Sequence, residues 1–455
     1  MTAIPTAATP AAALPDVRDL EPRLQAALAL AKSLGASAAE GYLGVSRGLS
    51  VAVRQGEVES VQFQRDRDLS LTVFFGHRTG SASTTDLSDA ALKRTVEAAC
   101  AIARVGGEDP CVGLADPARM AREFPDLALY HPYALEPEVA IERARACEAA
   151  AFAADARITQ SEGASIDTRE SLSLYANSHG FVGRRRATDY SLGCAAIAVD
   201  GDAMQLGHWY SSARRFDALD APVAIGRKAG ERAAARLGGR SLSTRTAPVI
   251  FPAEIARGLF GHFIGAISGA ALYRRASFLH GKLGETVFAE RVSARQMPFI
   301  PGAAGSSAYD QEGVATTERQ LIDKGVLGGY LLGSYSARKM GLESTGNAGG
   351  VYNLLIGSTF DGGLEALARE MGEGLIATDL MGQGVNTVTG DYSRGASGFW
   401  VENGVIAYPV DEITIAGNLG TMYRGISAIG SDVDTRGGVR VGSVLIDAMT
   451  IAGGA

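Results

Sequence analysis

Beyond residue 18, apolar residues first recur at helical spacing. Glu21–Leu34 predicts a helix, with Gly35 as its C-cap. The pattern then turns to alternation, and Gly41–Val45, Ser50–Arg54, Val58–Gln64 and Leu69–Phe75 each read as a short strand. Leu69, Leu71, Val73 and Phe75 fall on one side, which suits an antiparallel meander with one buried face. Gln55-Gly56 marks the turn between the second and third of these strands, and Asp89–Val105 predicts a second helix.

The same order then returns. Glu136–Ala154 is helical in pattern, and Ala164–Thr168, Ser171–Ala176, Phe181–Arg186 and Tyr190–Val199 read as strands. Leu49–Val53 aligns with Leu172–Ala176, and the turn Gln55-Gly56 answers His179-Gly180. These matches suggest a repeated helix-plus-meander unit, its period too long for a solenoid. A third helix, Ala221–Leu237, leads through Gly238-Gly239 to a boundary near residue 240.

Past that boundary glycine dominates: residues 251–455 hold 37 of the 57 glycines in fewer than half of the positions. That density implies many tight turns between short strands. Strands are expected at Val326–Leu332, Gly398–Val401, Ile413–Ala416 and Val441–Ile446, with one clear helix, Gly363–Met371, capped by Asp361. The apolar stretch Val249–Tyr273 is broken by Glu254, Arg257 and His262, so it reads as a buried helix pair and not a membrane span. The expected fold class is α+β: a helix-plus-antiparallel-meander part followed by a Gly-rich, mostly antiparallel β domain whose strands could close into a barrel. The expected divisions are a disordered lead-in over 1–18, an N-terminal α+β domain over 19–130, a central α+β segment over 131–240 and the β-rich domain over 241–455.

Charge and cysteine usage narrow the function classes. A formal net charge of −7 argues against a general nucleic-acid binder, and the lone basic run Arg184-Arg185-Arg186 reads as a solvated strand. Cys100, Cys111, Cys147 and Cys194 form no C-x-x-C pair and all precede residue 200, as expected of reduced, buried thiols. Met1–Asp16 lacks the basic start and apolar core of a secretion signal. A cytoplasmic protein that neither spans a membrane nor binds nucleic acid is expected.

The candidate chemistry centres on Arg257-Gly258-Leu259-Phe260-Gly261-His262, a helical segment where a zinc hydrolase would carry its ligands. Zinc needs several His, Cys or carboxylate side chains aimed at one point, with a Glu to move protons. Here His262 alone could serve, so no catalytic residue and no metal site is expected in this chain. Nucleophile-elbow and phosphate-loop motifs are absent as well. Two glycine-bounded segments are candidates for peptide or partner contacts. In Thr389–Gly395, Asp391, Tyr392 and Arg394 could hold an extended peptide or simply brace a turn. In Ser344–Gly350, Ser344, Thr345 and Asn347 could meet a ligand or cross the surface. Asp310 and Glu312 offer two carboxylates beside Gly313, without a nearby histidine.

Taken together, Gly258–His262, Gly265–Gly269, Ser334–Arg338, Ser344–Gly346, Leu380–Val385, Thr389–Ala396 and Glu412–Leu419 resemble the PmbA (TldE) branch of the TldD/PmbA family, densely from Pro248 onward. The resemblance implies a cytoplasmic zinc metallopeptidase system in which two branches pair as a heterodimer and act on unfolded peptides. The TldD branch carries His-Glu-x-x-x-His and a distant cysteine as its zinc site. Laid on this chain, the first histidine falls on Arg257, the glutamate on Gly258 and the last histidine on His262, and no cysteine follows Cys194. The resemblance therefore implies a catalytically silent partner, with zinc on a TldD-type subunit. Two alternatives stay open: a homodimeric, non-enzymatic peptide-binding protein, and a peptidase with a metal site built from His262 and the Asp310–Glu312 loop.

Overall fold

The first helix starts earlier than its apolar spacing implies. Asp16 caps it, accepting from the Arg18 N–H at 2.8 Å, and α1 runs Val17–Ser33. The computed structural model describes residues 14–453 in two compact units; most of the expected lead-in lies outside the described residues. The first unit comprises residues up to Met120 with Ala128–Ile197 and Leu206–Glu231; the second comprises Ala121–Leu127, Ala198–Gln205 and residues from Arg232 onward. No helix among the described residues is long and apolar enough to cross a membrane.

The first unit is the repeat. Its first half is α1, β1 (Ala38–Arg54), β2 (Glu57–Phe75), β3 (Arg78–Thr84) and α2 (Asp89–Val105). Its second half is α3 (Pro137–Phe152), β4 (Ile158–Asn177), β5 (Val182–Asp200), β6 (Ala203–Ala213) and α4 (Pro222–Ala235). The two meanders meet antiparallel in one six-stranded sheet, ordered β3-β2-β1-β4-β5-β6, with Val45 opposite Leu172 and Arg47 opposite Glu170. The Arg47 Nε donates to Glu170 at 2.6 Å across that central seam. Leu43, Leu69, Leu71, Val73, Leu172 and Leu174 turn one face toward Leu24 and Leu28 of α1 and Val96 and Cys100 of α2. α4 packs against α3 so closely that a Cβ at Gly226 would stand 1.7 Å from the Cys147 carbonyl oxygen. Buried Glu148 on α3 accepts from the N–H groups of Gln55 and Gly56 at 2.9 and 2.8 Å, fixing the β1–β2 turn.

Four of the expected strand pairs are in fact single long strands. Gly41–Val45 and Ser50–Arg54 fuse into β1, Val58–Gln64 and Leu69–Phe75 into β2, and the same happens in β4 and β5. The polar breaks Ser46-Arg47-Gly48 and Arg65–Asp68 interrupt the burial pattern without interrupting the backbone ladder. At Gly48 a Cβ would lie 2.2 Å from the Thr168 carbonyl oxygen, so the glycine serves close strand approach and not a turn.

In the second unit β7 (Arg245–Phe251) is followed by α5 (Ala253–Ala266) and the short α6 (Gly269–Tyr273). A small sheet then gathers β8 (Ala294–Gln296), β9 (Arg319–Asp323), β10 (Val326–Leu327), β11 (Leu354–Ile356) and β16 (Val439–Arg440). The strand expected over Val326–Leu332 thus stops at Leu327; α7 (Ser334–Met340) follows. α8 (Leu364–Met371), β12 (Gly374–Met381), β13 (Asp391–Glu402), β14 (Val405–Asn418), α9 (Leu419–Arg424), β15 (Ile426–Ile429) and β17 (Val444–Gly453) complete the chain. Asp361 does not cap α8: the N-cap is Gly363, and Asp432, distant in sequence, accepts from the Leu364 N–H at 3.0 Å. β14, β13, β12, β7 and β17 lie side by side, and β14 also pairs with β17 from Ile413↔Gly453 to Ala416↔Thr450, which closes a barrel. α5 buries Leu259, Phe260 and Phe263 against it; Phe288 stacks on Tyr423 at 4.3 Å, and the Tyr423 hydroxyl donates to the Leu259 carbonyl at 2.8 Å.

Candidate functional site

α5 is amphipathic in an unusual way. One face carries Ala256, Leu259, Phe260 and Phe263 into the core, whereas the other presents Gly258, Gly261 and Gly265, where an added Cβ would meet nothing within 4 Å. His262 stands beside this bare face, half-buried. Its ring meets that of Tyr392 edge-on, with centroids 6.0 Å apart. Burial, and then the Arg394 guanidinium nearby, hold its pKa below the ordinary value, so the imidazole is neutral at physiological pH. Tyr392 and Arg394 sit two apart on β13 and therefore share a face. Tyr392 is 2% exposed, and burial pushes its phenol up to about 12. Arg394 gives its Nε to the Met381 carbonyl at 3.0 Å and its Nη2 to the Leu380 carbonyl at 3.4 Å. Among the described residues, no carboxylate pairs with it. His262, Tyr392 and Arg394 thus form a cluster of hydrogen-bonding groups with no ionised acid among them.

Arg257 and Gly258 do not join this cluster as donors to a metal. The Arg257 Nε bonds the Glu254 carbonyl at 3.2 Å, and the guanidinium pairs with Asp434 at 3.6 Å. Burial would raise the Asp434 carboxyl, but hydrogen bonds from Arg436 and the charges of Arg436 and Arg257 outweigh it and hold the pKa low. A zinc ion would find here a guanidinium, a bare backbone and one imidazole, and this donor set does not fit it. Among the described residues, no three His, Cys, Asp or Glu side chains gather as a metal site.

The remaining candidates lie in other networks. Asp391 is exposed at the start of β13; its carboxylate accepts from the Thr389 hydroxyl at 2.6 Å and from Asn418 Nδ2 at 3.2 Å, which holds its pKa down and braces the turn. Asn347 is buried: its Nδ2 donates to Gln296 Oε1 at 2.7 Å and to the Gly350 carbonyl at 2.8 Å, while its Oδ1 accepts from Arg319 at 2.8 Å. The Thr345 hydroxyl accepts from the Leu332 N–H at 2.8 Å, and Ser344, also buried, donates to the Leu332 carbonyl at 3.2 Å. The segment Ser344–Gly350 is therefore stitched into the small sheet.

Asp310, 2% exposed, accepts from the N–H groups of Glu312 and Val314 at 2.9 and 3.0 Å and from Ala348 at 2.9 Å. Burial nevertheless pushes its carboxyl up to about 7. Glu312 is spent on the Ser334 N–H at 2.8 Å. Among the described residues, no hydrogen bond or ion pair joins either acid to His262. Sequence reasoning missed Asp434, Gln296 and Arg319, which sit far from the motifs they support and carry no local signal.

Comparison with known proteins agrees with this architecture in both units. Models of the PmbA/TldA metallopeptidase domain 1, central domain and C-terminal domain match residues 39–103, 130–237 and 244–453. The metalloprotease PmbA of Escherichia coli O157:H7 is 46% identical over 439 residues, covering 95% of this chain and 96% of that one. The crystal structure of a candidate modulator of DNA gyrase from Bacteroides thetaiotaomicron superposes with a TM-score of 0.91 at 30% identity, over 96% of this chain and 99% of that one. TldE from Thermococcus kodakarensis shares the fold, with a TM-score of 0.84 at 21% identity over 95% of this chain and all of its own. With all three domain models matched in order and near-complete alignment to a PmbA, this chain belongs to the PmbA/TldA metallopeptidase family.

Proposed function

We propose that this chain is the PmbA/TldE-type subunit of a cytoplasmic two-chain zinc metallopeptidase that degrades or processes unfolded peptides, and that it contributes no zinc ligands. The observation that carries this reading is the donor set on α5: Arg257 and Gly258 stand where a metallopeptidase needs a ligand and a general base, and His262 is alone. One imidazole cannot both hold a zinc and lower the pKa of its water. Hydrolysis then falls to a zinc-bearing TldD-type chain, while this subunit completes the dimer, walls off the chamber and admits extended peptides.

His262 and Arg394 suit such a role. A neutral imidazole and a guanidinium can bond the carbonyls or terminal carboxylate of an extended peptide without attacking it, while Tyr392, buried in the core, packs edge-on against the imidazole. The same feature favours the second reading, a homodimer that binds peptides without cleaving them.

Reconstitution separates the two. The chain alone should leave an unfolded peptide intact, and a TldD-type chain added to it should produce cleavage. Arg394→Ala should raise KM severalfold with kcat little changed, and His262→Ala, which removes a peptide contact and no metal ligand, should likewise leave kcat and the metal content of the complex nearly intact. Cleavage that does not depend on this chain would refute the subunit reading. An unchanged KM for Arg394→Ala would return that residue to bracing β12 against β13.

A further inference from the structure

The guanidinium of Arg394 is held along one edge and bare along the other. Its Nε and Nη2 donate to the Met381 and Leu380 carbonyls, where β12 ends. Those two bonds fix the plane of the group. Nη1 and the second Nη2 hydrogen remain as a forked pair of donors, and among the described residues nothing accepts from them. The side chain is half-buried, so the fork belongs to a positioned, partly desolvated cation.

No acid of the chain neutralises it. On β13 the side chains that share its face are Tyr392 and Ala396, both buried. Across the ladder Arg394 stands opposite Ile415, and Ala396 stands opposite Ile413 and Leu380. The acids of the surrounding strands and of α5 are engaged elsewhere. Asp391 accepts from Thr389 and Asn418, Asp379 pairs with Arg236 at 3.1 Å, and Glu254 pairs with Arg232 at 2.7 Å. The charge is felt at His262, whose affinity for a proton is lowered by burial and then by Arg394.

β13 cannot take a peptide as an added strand beside this residue. β14 pairs with one edge of β13 from Asp391 to Glu402, and β12 pairs with the other from Gly395 onward. The loop after β12 closes the rest of that second edge. There the Ser393 N–H donates to the Gly384 carbonyl at 2.7 Å, and Val385 bridges to Tyr392. A ligand that reaches Arg394 must therefore bond its side chain. A planar, two-pronged cation matches a carboxylate, which accepts both prongs at once. The carboxylate that an extended peptide carries whatever its sequence is the one at its C-terminus.

We propose that Arg394 receives the free C-terminal carboxylate of an extended peptide, so that this chain selects peptide ends over internal segments. The assignment rests on the peptide-handling reading above and names the part of the peptide that is held.

Direct binding to the full, tag-free chain tests it without any cleavage. The probes are an uncharged, unstructured peptide with a fluorophore at its N-terminus, made as the free acid and as the C-terminal amide, and a third amide carrying one internal glutamate. Fluorescence anisotropy should show the free acid bound at least about tenfold more tightly than either amide, the scale expected of hydrogen bonds to a charged group. Arg394→Ala should weaken the free acid to the level of the amide and leave the amide unchanged. Arg394→Lys, which keeps the charge and loses the fork, should retain only part of the gap. Thermal melting checks that each variant is folded. Equal binding of acid and amide, a gap that survives Arg394→Ala, or an internal glutamate that binds as well as the free end would overturn the proposal. So would binding of none of the three probes. The subunit reading fails by a different result, cleavage by a TldD-type chain that does not need this one.

Discussion

The glycine face of α5 sets helix propensity against everything else. Gly258 and Gly261 lie inside the helix, and an alanine Cβ at either would meet no heavy atom within 4 Å. Neither has a positive φ, so alanine fits the backbone as it stands. Burial and packing are therefore nearly unchanged by the double substitution, and the intrinsic preference of alanine over glycine decides the sign. That preference is about 0.9 kcal/mol per interior position, or about 2 kcal/mol for G258A/G261A together. For a unit of this size the gain corresponds to roughly 4–8 °C in Tm. Urea unfolding followed at buried Trp400, in a Trp209→Phe background that silences the other tryptophan, reads the second unit directly. The midpoint should rise with the m-value unchanged. A midpoint that stays or falls in the isolated chain would refute the reasoning, because it would mean that this face is not open in the free chain.

Gly226→Ala should have the opposite sign, although helix propensity favours it equally. Its Cβ would stand 1.7 Å from the Cys147 carbonyl oxygen, so α3 and α4 must part, and a loss of about 1–3 kcal/mol is expected by denaturation of the first unit. Asp310 links stability to pH. Its folded-state pKa of about 7 lies above the unfolded value, so its contribution is complete below about pH 4 and is lost as pH rises through 7. The stability of the wild-type chain relative to Asp310→Asn should fall between pH 4 and pH 8 by up to roughly 4 kcal/mol; a difference independent of pH would mean that the carboxyl is ionised throughout. Glu148→Ala should loosen the β1–β2 turn, with a loss of roughly 2 kcal/mol from two charge-assisted bonds to a buried acid, measurable as faster amide exchange at Gln55 and Gly56.

Much of the fold was legible where local signals agree. α2 was read with its boundaries intact because Ser88 accepts from the Ala91 N–H at its start, its apolar spacing is regular and Gly106 ends it. The repeat was legible from two matching turns, although its union into one sheet depends on pairing between residues more than a hundred positions apart. The long strands were not legible: Arg65–Asp68 carries no burial pattern, and only the ladder with β1 keeps it extended. In the Gly-rich half the cap of α8 comes from Asp432, and no local rule points to it. The site shows the same division. That α5 carries Arg257 and Gly258 ahead of a single histidine, His262, could be read residue by residue. The meeting of His262 with Tyr392 and Arg394 could not, because the barrel brings β13 to α5 across more than a hundred residues. Nor could the burial of Asn347, whose polar, flexible-looking loop is held by Gln296 and Arg319 from other strands.

The central claim is that this family member carries no zinc of its own and cannot cleave alone. Elemental mass spectrometry of the tag-free chain, purified without chelator, tests it most directly, with peptide hydrolysis measured on the same sample. The account predicts zinc far below one ion per chain and no hydrolysis until a TldD-type chain is added. One zinc per chain, retained through gel filtration and lost in His262→Ala, would contradict it.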